Sequence, residues 1–254
     1  MLYRFILLAV FFASPVNASH KTIRHDTIKQ ANALFDNYDK DITNLQKSID
    51  MYDRITKESS SSHELYTAYY KTAMTYLIMG DFANLTHTDA INDYEKGAAA
   101  AKKAIAINPN GSEGYFWYAG NIGKIARKKN FLEALDILPK FLFYLSKSYK
   151  LNPKSTFVLE AYSELYYELP WAFGGSSSKS IEYAKRALKI DPNYTMPLTT
   201  MAKVYIKQGK YNDAKKVLEE VLNSKNPSYR AGWVMTDKPY AQKLLYSITG
   251  KTQF

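Results

Sequence analysis

The sequence contains no cysteine, and this absence excludes several classes of protein. The chain can form no disulfide, no thiolate metal site and no cysteine nucleophile. It also lacks the residue to which a lipoprotein anchor is attached. The fold therefore has to be stabilised by its hydrophobic core, and 254 residues are enough to build one.

Histidine is scarce, and no histidine has the spacing of a zinc-binding helix. A serine-rich loop at residues 174–180 has some likeness to a phosphate loop, but it lacks the second glycine before Lys179 and does not follow a strand. We interpret it as a turn whose serines cap the next helix. The four histidines are His20, His25, His63 and His87. The sequence therefore predicts no metal, no cofactor and no catalytic residue.

Residues 1–18 are predicted to be an export signal. Arg4 supplies the positive start, residues 5–13 form an apolar run, and Val16-Asn17-Ala18 is a small-residue cleavage site. Nine apolar residues are too few to cross a bilayer, which needs about 20. We therefore expect an exported chain, periplasmic or extracellular after cleavage near Ala18, with no membrane span in the mature part.

The chain is basic, with 34 Lys and Arg against 24 Asp and Glu. A net charge of +10 favours attraction to acidic partners. The simpler alternative is a lysine-rich solvated surface. Nucleic acid is not expected as a partner, because an exported chain without a recognised binding motif gives it no support.

Three helix ends of the same kind recur along the chain. Each is a basic, small and apolar stretch stopped by Asn-Pro or Asp-Pro, because proline cannot continue the hydrogen-bond ladder. The prolines lie 44 and 39 residues apart, which indicates a helical repeat array with insertions. The three stretches are Lys103–Pro109, Lys147–Pro153 and Arg186–Pro192.

The clearest repeat follows the tetratricopeptide pattern. Leu198, Met201, Ala202 and Tyr205 form one apolar stripe, and a second helix begins after a turn at Gly209. No period-two strand pattern is found, so we predict an all-α, tetratricopeptide-like helical-repeat superhelix with insertions between repeats. Residues 19–254 form one domain, with a half-unit at 41–57, units at 64–109, 112–153, 155–192 and 195–227, and a capping helix at 237–248.

Two insertions and one proline interrupt this register. Asp81–Asn92 separates the helices of one unit, and a loop at residues 169–175 is longer than the norm. Pro139 is expected to break its helix near Leu138 and to leave a short extra helix before residue 141.

The first helix of each pair is expected to line a concave groove rich in aromatic side chains. Such a groove favours an apolar ligand or a partner helix. The alternative is that these aromatic side chains form the core. The predicted binding residues are Tyr70, Phe116, Trp117, Asn121, Glu160, Glu164, Tyr167, Trp171, Phe173 and Lys203.

Parts of the chain from about residue 94 to 222 resemble the extracytoplasmic tetratricopeptide T component associated with TRAP transporters. The resemblance rests on Tyr94–Gly97, Tyr115–Gly123, Leu151–Pro153 and the proline-then-double-glycine loop around Pro170 and Gly175. It implies a solenoid with a ligand-accessible cavity. It also implies a homo-oligomer that docks a periplasmic solute-binding protein and handles a small hydrophobic ligand.

The sequence therefore predicts an exported, non-enzymatic scaffold for protein–protein interaction. One alternative is an envelope-assembly adaptor that binds acidic partners through charge. Another is a small-molecule enzyme that uses Glu160 and Glu164 as an acid/base pair, and it would be favoured if both carboxylates were buried with raised pKa values inside a pocket.

Overall fold

The computed structural model describes residues 27–249, and the regular structure in that range is entirely helical, as predicted. The predicted export signal lies outside these residues. Between residues 27 and 249, no helix has the length and apolar character needed to cross a membrane. The helices are α1 (residues 27–35), α2 (Asn44–Glu58), α3 (Ser62–Asp81), α4 (Ala83–Thr86), α5 (Ala90–Ile107), α6 (Ser112–Arg127), α7 (Phe131–Leu151), α8 (Thr156–Glu168), α9 (Ser177–Ile190), α10 (Met196–Lys207), α11 (Tyr211–Leu222), α12 (Arg230–Gly232) and α13 (Lys238–Ile248).

Successive helices form antiparallel pairs that stack on one another. The pairs are α3 with α5, α6 with α7, α8 with α9 and α10 with α11, and α5 also packs on α6. Small residues lie where the helices approach most closely, since a larger side chain would hold the backbones apart. The fully buried alanines at these contacts are Ala73, Ala101, Ala104, Ala184, Ala187, Ala202 and Ala214.

The repeated Asn-Pro and Asp-Pro ends have a common geometry. After α5, the Asn108 side chain accepts a hydrogen bond from the backbone N–H of Asn110, at 3.1 Å. The residues at the ends of α7 and α9 accept from the N–H two residues on in the same way. The side chain turns the backbone while proline stops the helix, and this explains why the pattern recurs.

Pro139 does not break its helix, which corrects the expectation from the sequence. α7 runs without interruption from Phe131 to Leu151. Proline removes one backbone donor, so the carbonyl of Leu135 loses its usual partner. Pro139 lies on the exposed side of the helix, where water can hydrate that carbonyl, and the packing of α7 on α6 maintains the helix around it.

The two ends of the described chain meet on the inner side of the array. Phe35 and Tyr38 from the N-terminal end share a core with Met74, Trp117 and Ala231. α1 also packs on α2, where the Tyr52 hydroxyl donates to the Asn32 side chain at 2.7 Å. The half-unit predicted at 41–57 therefore has a partner helix in front of it.

The close contact between α5 and α6 leads to a prediction about stability. A Cβ added at Gly97 would overlap the side-chain amide of Asn121, which is held by two hydrogen bonds. We expect Gly97→Ala to lower the free energy of unfolding by about 1–3 kcal/mol, despite the better helix propensity of alanine. Urea denaturation measures the change.

Gly120→Ala is the matched control, because the nearest atom to its added Cβ is the flexible end of Leu77. We expect a smaller change there. A Gly97→Ala variant as stable as the natural chain would contradict the close approach described above.

Candidate functional site

The concave side predicted to be an open groove is covered by the chain itself. A C-terminal strap, residues 226–237, crosses the inner face of the array. Its Tyr229 ring lies 4.7 Å from the ring of Phe157 and 5.1 Å from that of Tyr194. Further along the strap, Ala231 is buried in the same core as Trp117, and Met235 packs against that core.

Polar contacts attach the strap at several places. Ser228 donates to the Asp191 carboxylate at 2.7 Å, and the Arg230 guanidinium lies 2.9 Å from the carboxylate of Asp39. At the far end, Thr195 donates to the Asp237 carboxylate at 2.6 Å. The strap is therefore an integral part of the packing, and it occupies the space that the sequence assigned to a ligand.

The predicted groove residues on α3 and α6 lie in or against this covered core. Phe116 is half-buried, with its ring 4.8 Å from the buried Trp117, and Tyr70 packs against the same core. Asn121 is fully buried and donates to the backbone carbonyls of Ala73 and Trp117, at 3.1 and 2.8 Å. Asn121 thus connects α3 to α6, and these four side chains have structural contacts where an open groove was expected.

Glu160 and Glu164, the other predicted pair, share one hydroxyl group. The Oγ1 of Thr200 lies 2.7 Å from the Glu160 carboxylate and 3.2 Å from that of Glu164. Glu164 is also paired with Lys203 and lies 3.2 Å from the Arg127 guanidinium. The hydroxyl has a single hydrogen, so Thr200 can donate fully to only one of the two carboxylates at a time, and the shorter distance is to Glu160.

The two carboxyls have opposite pKa shifts. Burial raises the pKa of Glu160 well above its usual value, and the neighbouring charge of Glu164 adds to this rise. Burial would also raise the pKa of Glu164, but the charges of Lys203 and Arg127 and the hydrogen bond from Lys203 bring it below the usual value. The enzyme alternative would have been favoured by raised pKa values at both carboxyls, and only that of Glu160 is raised.

A third carboxyl, that of Asp237 in the strap, acts electrostatically on Glu160. We call Glu160, Glu164, Asp237 and the side chains that contact them the polar region. Burial raises its pKa to about 6, against the opposing effect of the hydrogen bond from Thr195. The negative charge of Asp237 contributes in turn to the raised pKa of Glu160. The strap therefore brings a further carboxyl to the covered face.

The remaining predicted residues lie nearer the surface. Tyr167 is half-buried, and the ammonium of Lys203 lies 4.6 Å from its ring centre. Trp171 and Phe173 belong to a short 3₁₀ turn and are 89% and 49% exposed. In the serine-rich loop after them, Ser176 accepts a hydrogen bond from the N–H of Lys179, which is the capping role expected from the sequence.

The sequence reasoning missed an arrangement on the outer helices. On α5, α7 and α9, basic residues lie 6 and 13 positions before each helix-ending proline. Each of these six residues lies over a tyrosine ring of a neighbouring helix, with centre distances of 5.1 to 5.9 Å. The recurrence of basic residues at the same distances from each proline is visible in the sequence and could have identified these positions. They are Lys96 and Lys103, Lys140 and Lys147, and Lys179 and Arg186.

Comparison with protein families matches residues 27–245 to the model described as "Regulator of microtubule dynamics protein 1-3". The chain belongs to this family. A search of the curated proteins finds no sequence match. The matched family is a different one from the TRAP-associated T component, and none of these comparisons supports that resemblance.

The chain is similar to solved structures of tetratricopeptide proteins. A thermophilic TPR protein of Thermus thermophilus is 16% identical and superposes with a TM-score of 0.63, over 87% of this chain and 99% of that one. YrrB, a TPR protein with an unusual peptide-binding site, is 16% identical over 90% and 95% of the chains, with a TM-score of 0.41. The first superposition confirms the tetratricopeptide-type fold.

The polar region under the strap predicts a pH-dependent stability. The pKa of Asp237 is about 6 in the folded chain against an ordinary value of 3.8, so the folded state binds this proton more tightly. The resulting stabilisation is fully present below pH 3.8 and is lost as the pH rises through about 6. Asp237→Asn should therefore raise the free energy of unfolding near neutral pH, by up to about 3 kcal/mol.

Urea denaturation across a pH series measures this effect, and the gain should shrink as the pH is lowered below about 6. Glu220→Gln, on the exposed side of α11, is the control and should show no such pH-dependent gain. A gain for Asp237→Asn that is the same at every pH would contradict the burial of a carboxyl at this position.

Proposed function

We propose that this chain is a non-enzymatic TPR-type scaffold that acts on microtubules by binding a protein partner. The observation that carries the proposal is the match of residues 27–245 to a family described as regulators of microtubule dynamics. The fold supports a binding role, because stacked helix pairs present a long and rigid surface to a partner.

The chemistry of the polar region favours binding over catalysis. Glu160 is buried, and Glu164 is engaged by both Lys203 and Arg127. A general base has to reach the proton that it removes from a substrate. A buried carboxyl and one paired with two cations are poor candidates for this role, so we propose that neither acts on a substrate.

The narrower predictions from the sequence are separate proposals. An accessory role in a TRAP-type transporter, with a solute-binding protein or a small hydrophobic ligand, would need the predicted groove to be accessible. Phe116 and Trp117 would both have to leave their present contacts for that. We therefore favour a partner that binds elsewhere on the scaffold.

The compartment in which the chain resides distinguishes a microtubule partner from an envelope partner. Export through the predicted signal at residues 1–18 would favour the adaptor role, with acidic partners outside the cytosol. The intact mass of the chain purified from its own cells tests this point. A mature chain that begins at Ser19 would contradict the microtubule proposal, and a chain that keeps residues 1–18 would contradict cleavage at the predicted site.

Sedimentation with microtubules tests the proposed function directly. We expect the full chain to pellet with microtubules polymerised from purified tubulin, with saturable binding, and to change their growth or shrinkage rates in light microscopy. Sedimentation of the chain without microtubules is the control. A chain that stays in the supernatant at both low and physiological salt, and leaves the growth and shrinkage rates unchanged, would contradict the proposal.

A further inference from the structure

The positive charge of this chain is concentrated on three helices. Residues 96–107, 137–154 and 179–190 contain eleven basic residues and one acidic residue, Glu182. The rest of the sequence contains 23 basic and 23 acidic residues, so these three stretches account for the whole net charge of +10. They belong to α5, α7, α9 and the turn after α7, the second helices of three successive pairs.

These cations form one connected surface. Lys102 of α5 and Lys140 of α7 lie 5.6 and 5.4 Å from the centre of the same ring, that of Tyr118. Between α7 and α9, the Arg186 guanidinium donates to the hydroxyl of Tyr149 at 2.7 Å. We call the basic residues of the three stretches the cationic surface. They are Lys96, Lys102, Lys103, Lys140, Lys147, Lys150, Lys154, Lys179, Lys185, Arg186 and Lys189.

No carboxylate neutralises this surface at close range. Among residues 27–249, the ion pairs within 4.0 Å involve basic residues elsewhere in the chain, such as Lys124, Arg127 and Lys203. Most of the cationic surface is exposed to solvent. Its charges are therefore available to a partner, and mutual repulsion among them favours an acidic one.

Tyrosine rings hold several of these cations in place. A cation over an aromatic face is attracted by the ring quadrupole, and this restricts the movement of a side chain that is otherwise flexible. The hydrogen bond between Lys140 and the Tyr118 hydroxyl raises the pKa of Lys140 above its usual value, which is consistent with a close contact between these two side chains. Positioned cations lose less conformational entropy on binding than free ones.

We infer that the cationic surface is a binding site for an acidic polypeptide, a segment rich in Asp and Glu. The inference rests on the proposed function and names the chemistry of its partner. Ten of the eleven cations are lysines, which attract anionic groups as point charges and need no fixed paired geometry, so they can adapt to carboxylates spread along a flexible segment. Phe143, which is 63% exposed between Lys140 and Lys147, offers the partner an apolar contact.

The distance between successive cations on one helix also matches the dimensions of an extended polypeptide. Cations seven residues apart on one helix are separated by about 10 Å along its axis, as Lys96 and Lys103 are, or Lys140 and Lys147. An extended segment covers that distance in about three residues. Acidic side chains about three residues apart can therefore reach successive cations, and the same segment can continue from one helix to the next.

Binding of a fluorescent oligoglutamate peptide to the full chain tests this inference by fluorescence anisotropy. The informative variant is Lys102→Glu/Lys140→Glu, which reverses two exposed charges at the Tyr118 ring. The matched control is Lys216→Glu/Lys243→Glu, which makes the same change of net charge on exposed positions of α11 and α13. Circular dichroism melting verifies that both variants are folded.

We expect the peptide to bind, its affinity to fall steeply with salt, and the Lys102→Glu/Lys140→Glu variant to lose about tenfold or more. The control should lose less than about threefold. Absence of peptide binding, or equal losses in the two variants, would overturn the inference. It would also be overturned if phosphatidylserine vesicles or single-stranded DNA bind more tightly than the peptide and depend on Lys102 and Lys140.

The same variants in the sedimentation assay separate the two proposals. If microtubules pellet the natural chain and the Lys102→Glu/Lys140→Glu variant equally, the cationic surface is not the site and this inference fails, while the proposed function stands. If the peptide binds through Lys102 and Lys140 but no variant or natural chain pellets with microtubules, the proposed function fails and the acidic-segment site stands.

Discussion

Each helix pair of this chain has to bury an apolar face against the next pair, and the rest of the structure depends on that requirement. Within the array the neighbouring pair supplies the cover. The inner face has no such neighbour, and both ends of the described chain fold over it, Phe35 and Tyr38 from one side and the strap with Ala231 from the other. The array is thereby closed on the side that an open superhelix would offer to a ligand.

Closing the inner face has an electrostatic consequence. Burial of a carboxyl is unfavourable for its charged form, and Glu160 and Asp237 both have raised pKa values for this reason. Glu164 stays in its charged form because Lys203 and Arg127 lie beside it. These inner carboxyls are thus either kept from ionising by burial or paired with cations, whereas the residues of the cationic surface have no ion pair within 4.0 Å among the described residues. This separation suggests that the outer surface is where a partner binds.

The repeat architecture could be predicted from the sequence because its signals are local. Residues such as Asn108 and Pro109, or Ala202 and Ala214, report on contacts within a few turns of the chain, and the structure has the corresponding helix ends and close approaches. The strap could not be predicted in this way. Its ion pair joins Arg230 to Asp39, and no periodicity relates two residues so far apart. Tyr70, Phe116 and Trp117 were therefore assigned to an open surface, whereas they share a core with Ala231 of the strap.

Hydrogen–deuterium exchange of the full chain, alone and saturated with an acidic partner, tests the central claim most directly. A closed inner face predicts that amides of the strap and of α8 and α10 are already protected in the free chain, and that binding adds protection on α5, α7 and α9. Rapid exchange of the strap in the free chain, with new protection on α8 and α10 upon binding, would contradict it. The inner face would then be the binding site.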